Sequence, residues 1–161
     1  MQNIYQAVHI HCKDGEIVVM LDGDDSLVGV NVLGLLNAVY QKERPAVLWA
    51  NFVSIFNNNQ VVMGFSHDYS EKQKADATFR KMKGFITSHL KTFFVDVFKK
   101  IKPEDLQLNS GKFYGGASDT AMMLPMIEMA NPRIKYLPEI LYEYRYDTGQ
   151  TGNVVNKVPQ K

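Results

Sequence analysis

The stretch that most constrains this chain is EIVVMLDGDDSL, residues 16 to 27, where an unbroken apolar run, Ile17 to Leu21, meets the carboxylates of Asp22, Asp24 and Asp25. A short run of this kind, rich in β-branched residues, reads as a strand covered on both faces. Burying carboxylates without partners is prohibitively costly. Asp22, Asp24 and Asp25 are therefore expected at the strand's end, facing solvent, a cation or both.

The segments around this strand alternate in character. Ile4, Ala7, Val8 and His11 fall at helical spacing and predict an amphipathic helix over residues 3–13, stopped near Asp14-Gly15. Val30, Leu33, Leu36, Asn37 and Tyr40 predict a second over 29–42, ended by Arg44-Pro45. Ala46 to Phe56 reads as a strand, and the Asn57-Asn58-Asn59 turn with Gln60 to Phe65 makes it a hairpin. Ser66 to Lys83 is a polar surface loop whose lysines and Arg80 either meet phosphate or simply face solvent. Phe93, Phe94, Val97, Phe98 and Ile101 mark a helical core face closed by Lys102-Pro103.

Ser118 is placed to cap a buried helix that carries Asp119, then Met122, Met123, Met126 and Met129, with Pro125 kinking it or restricting its first turns. Its methionine stripe reads as core. Ile134 to Leu137 and Ile140 to Tyr146 predict two more strands, and Asp147 to Lys161 a polar tail, frayed from about residue 148. No internal repeat interrupts the order. Strands alternating with helices predict an α/β fold, a mostly parallel sheet flanked by helices with an added antiparallel hairpin.

With 161 residues, 45% of them hydrophobic and 22% charged, and a net charge of +1, the chain is expected to form a single globular domain; a general grip on nucleic acid is not expected. Cys12 is its only cysteine, which rules out an intramolecular disulfide and a thiol-rich metal site. Met1 is followed by no basic and apolar leader, and no apolar run approaches the ~20 residues of a membrane span. A reducing, cytoplasmic setting fits these features.

Several chemistries compete for the carboxylates. A calcium loop starting at Asp22 needs glycine sixth and glutamate twelfth, where this chain has Leu27 and Leu33. An aspartate-based phosphatase also places Asp-x-Asp after an apolar strand, though usually with glycine where Asp25 stands. A divalent-cation clamp for a diphosphate is the third reading, with Mg²⁺ or Mn²⁺ suited to the hard oxygens. The plainest is an exposed turn held by local side-chain to backbone bonds.

Three further segments bear on that choice: Ser88 to Phe93, SHLKTF; Ala117 to Ala130, ASDTAMMLPMIEMA; and Tyr136 to Tyr146, YLPEILYEYRY. Together with residues 16–27, in this order and spacing, they resemble the family 2 nucleotide-sugar glycosyltransferases of the GT-A fold, over nearly all of residues 3–150. The resemblance implies a partial GT-A, Rossmann-like sheet. It assigns Asp24 and Asp25, with Asp22 in support, to the metal and donor diphosphate, and Asp119 to the catalytic base of an inverting transfer to an acceptor hydroxyl. His89 is a candidate phosphate or acceptor contact, with a hydrogen-bonded structural role the other reading open to it. Many relatives have Glu-Asp where this chain has Ser118-Asp119, and they begin with a nucleotide-binding βαβ portion that precedes the first segment here. The expected partners are a nucleotide-sugar donor and a hydroxyl acceptor, with a homodimer covering the open sheet edge. A non-catalytic assembly domain derived from such an enzyme is the alternative. Trp49 and Tyr114 are candidates for stacking on a sugar ring, with buried packing the other role open to each.

Overall fold

A computed structural model describes residues 1–146. The expected tail, from Asp147 on, lies outside the described residues. Helix α1 (Gln2–His11) leads into strand β1 (Ile17–Met20), and the carboxylate loop into a two-residue strand β2 (Ser26–Leu27). Helix α2 (Val32–Glu43) precedes the long strand β3 (Val47–Ile55), which turns back as β4 (Val61–Met63). The expected loop follows, holding a short helix α3 (Glu71–Ala75) and a 3₁₀ turn (Phe79–Lys81). Then come β5 (Lys91–Phe94), α4 (Val95–Phe98), a second 3₁₀ turn (Pro103–Leu106), α5 (Ser118–Ala130) and β6 (Ile134–Arg145). Among the described residues no helix is long and apolar enough to cross a membrane.

The strands form one mixed sheet in the order β1-β5-β3-β6-β2, with β4 paired to the far end of β3. Among the described residues only β3 and β6 run parallel; β1–β5, β3–β5, β3–β4 and β2–β6 are antiparallel. The expectation of a mostly parallel sheet is thus corrected to a mostly antiparallel one, and one segment accounts for two of the antiparallel pairings, β1–β5 and β3–β5. Phe93 and Phe94 sit on strand β5 rather than on a helix, which shrinks to Val95–Phe98. That strand inserts between β1 and β3, antiparallel to both, and places β1 at the sheet edge. Ile17 and Leu21 are accordingly 37% and 49% exposed, so β1 is not covered on both faces as its composition suggested.

Period-2 alternation along β3 builds two cores. Val47 and Trp49 pack with Val8 of α1, Phe98 of α4 and the α5 methionines Met122, Met123 and Met126. Leu48, Ala50 and Phe52 pack on the other face with Val32, Leu36 and Tyr40 of α2. Trp49 is fully buried and its Nε1 donates to the His67 carbonyl at 3.0 Å, so it packs the core and is not available to stack on a sugar. Opposite β3, the two expected C-terminal strands are one, β6, whose pairing skips from Leu137 to Ile140. Pro138 has no N–H for the ladder, and the skip carries the strand past it. Helix α5 starts as expected, but its N-cap is Ala117 in the left-handed region at φ 54°, without a side-chain cap, and Ser118 is the first helical residue.

Candidate functional site

The loop that ends β1 is tied down by β6. Ser26 pairs with Glu143 and Leu27 with Tyr142 in the β2–β6 ladder, and the Ser26 hydroxyl donates to Glu143 Oε2 at 2.8 Å. Within the loop the Asp25 N–H donates to the Asp22 carbonyl at 3.1 Å. The Tyr142 hydroxyl accepts from the Asp22 N–H at 3.1 Å and donates to Asp25 Oδ2 at 2.7 Å. The Arg145 N–H reaches the other oxygen, Asp25 Oδ1, at 2.7 Å. Both Asp25 oxygens are therefore aimed, each with lone-pair capacity left for another partner.

His89 arrives just before β5. Its ring stacks on Tyr142 at 4.5 Å and on Tyr144 at 5.2 Å, and meets the edge of Phe52 at 5.3 Å. One ligand atom from each of Asp22, Asp25 and His89 falls within 4.8 Å of the others. Asp24 flanks this set and is close enough to raise the pKa of both neighbours.

Lys91, two residues on, has a side chain only 2% exposed, and its Nζ donates to Asp119 Oδ2 at 2.8 Å. The same ammonium stands 3.4 Å from His89 Nδ1. Asp119 occupies the first turn of α5, whose positive N-terminal end favours a carboxylate. The expected base and the expected metal-binding aspartates, from opposite ends of the sequence, thus share one corner, with His89 and Lys91 between them.

The electrostatics follow from this crowding. Loss of hydration, then the charges of Asp119, Asp25 and Asp24, push the Asp22 carboxyl up, with Lys91 opposing. Asp25 is also pushed up, chiefly by burial and secondarily by Asp24, against the bonds from Tyr142 and Arg145 and the charge of Lys91. Burial and then Lys91 drive His89 down to about 3, so its ring is neutral at pH 7. An ammonium can only donate, so Nδ1 is the accepting nitrogen and the ring proton belongs on Nε2. In that form His89 offers a hydrogen bond to an anion. Burial and the bond to Asp25 raise the Tyr142 phenol far above its ordinary value, and it stays protonated.

The donor set suits a divalent cation that prefers oxygen: two carboxylates, one of them oriented by two outer hydrogen bonds. Other expected contacts lie elsewhere. Arg80 is committed to Glu128 through two bonds of 2.6 and 2.8 Å, and Lys74 to Asp68 and Glu71, while Tyr69 and Phe79 of the same segment are buried in the core. Tyr114 lines a cleft with Arg80, Thr120, Leu124 and Glu128 beside α5. Lys91 and Tyr142 are site residues that sequence pattern alone does not single out. The signals were an isolated lysine inside the otherwise uncharged TSHLKTFF and the alternating tyrosines of YEYRY. No protein-family model matches the chain, and no curated protein matches it.

Proposed function

We propose that this corner transfers a sugar from a nucleotide diphosphate donor to an acceptor hydroxyl, with inversion at the anomeric carbon. The observation that carries the reading is the junction of Asp119 with Asp22, Asp25 and His89 through the buried Lys91. Asp119 is the general base: one oxygen is held by Lys91, and the side chain remains 35% exposed, so an acceptor can approach. It takes the hydroxyl proton as the new bond to the anomeric carbon forms and the bond to the diphosphate breaks. Asp22 and Asp25 would hold Mg²⁺ or Mn²⁺, and the ion would supply countercharge to a departing diphosphate. His89, neutral and donating from Nε2, adds a hydrogen bond to the same phosphate oxygens.

The test is a calorimetric titration with Mn²⁺ and uridine diphosphate, repeated with Asp25→Asn. Metal-dependent binding of the diphosphate is expected in the parent and a loss of at least tenfold in the variant, in line with removal of a metal-binding or metal-orienting group. Absence of metal-dependent binding by the parent would overturn the reading. Phosphate released from a chromogenic ester and abolished by Asp22→Asn would favour a phosphatase in its place.

A further inference from the structure

Lys91 poses a question that the transfer chemistry does not answer. A lysine side chain 2% exposed, on a strand between two others, survives only if its charge is matched, and the match is Asp119 at 2.8 Å. The Lys91 ammonium that holds Asp119 Oδ2 at 2.8 Å also stands 3.4 Å from His89 Nδ1, which brings Asp119 beside the Asp22, Asp25 and His89 group. Yet the groups with ligand atoms within 4.8 Å of one another are Asp22, Asp25 and His89, and Asp119 stays outside that set. A carboxylate beside a bound divalent cation would ordinarily coordinate it. Once coordinated, it could not accept a hydroxyl proton.

We infer that Lys91 is a positioning residue that divides the carboxylates between two tasks. By gripping Asp119 Oδ2 where water cannot compete, it keeps this carboxylate off the cation and leaves Asp22 and Asp25 to bind the metal. The inference rests on the transfer reading of the corner. An ion pair that served stability alone would have no effect on which carboxylates reach the metal.

The measurement is the number of water molecules left on bound Mn²⁺, read from water-proton relaxation. In Lys91→Met, Asp119 is expected to swing onto the ion: about one coordinated water is lost and Mn²⁺ binds several-fold more tightly. Lys91→Met combined with Asp119→Asn should restore the parent's water count, and Lys91→Arg, which keeps the cation, should match the parent. Circular dichroism checks each fold, and Lys91→Gln replaces the methionine variant where that one does not fold. An unchanged water count in the neutral variant, or a loss that persists in the double variant, overturns the inference while the metal site stands. A parent that binds no Mn²⁺ removes both.

Discussion

His89 shows how a residue's chemistry is set by its neighbours. Its pKa falls from the ordinary 6.5 to about 3 because aromatic rings exclude water from it and Lys91 adds a like charge. The sign of the stability effect follows from the direction. As pH falls from 6.5 toward 3, the unfolded chain takes up the histidine proton before the folded one does, so stability is lost across that window. Asp22 and Asp25 act oppositely: their raised values favour the protonated form in the fold, a contribution full below 3.8 and lost as pH rises through the folded values. The parent's thermal midpoint should therefore drop on acidification below pH 6.5, and His89→Gln should flatten that drop. A series of melts across this range checks it; equal slopes in the two proteins would show that another group dominates.

At the scale of elements, the β3–β4 hairpin depends on a close approach. The Gly64 N–H donates to the Phe52 carbonyl at 2.7 Å, and a Cβ at Gly64 would stand 2.6 Å from that oxygen and 2.5 Å from the Phe52 ring. Gly64→Ala is expected to cost about 1–3 kcal/mol, since backbone on one side and a buried ring on the other leave little room to give. Urea unfolding gives the total, and faster amide exchange over Val61–Met63 would place the damage in β4. The hairpin was legible beforehand because β-rich segments flank an Asn-rich turn. Strand β5 was not, because Phe93, Phe94, Val97, Phe98 and Ile101 satisfy a helical period although the first two pair with β1 and β3. Local spacing cannot register a partner strand that lies dozens of residues away.

For the molecule as a whole, the corner draws on the β1–β2 loop, the start of β5, the first turn of α5 and the end of β6, so it exists only when the sheet is assembled. A cation bound there would stabilise the folded state alone, by about 2.7 kcal/mol at a hundredfold excess over Kd. For a chain of this size that corresponds to a rise in Tm of roughly 5–10 °C. Mn²⁺ should produce such a shift in the parent and little in Asp22→Asn, measured by differential scanning calorimetry; equal shifts in both would move the metal to another site. The sequence by itself determined that an apolar strand ends in carboxylates, that Asp119 opens a methionine-rich helix, and that strands and helices share one α/β fold, because each of these is written in local pattern. Only the tertiary structure decided the antiparallel course of most of the sheet, the edge position of β1, and the meeting of Asp22, Asp25, His89, Lys91 and Asp119. Strand direction and side-chain convergence depend on long-range pairing, and Lys91 became meaningful only once burial left Asp119 as its counter-charge.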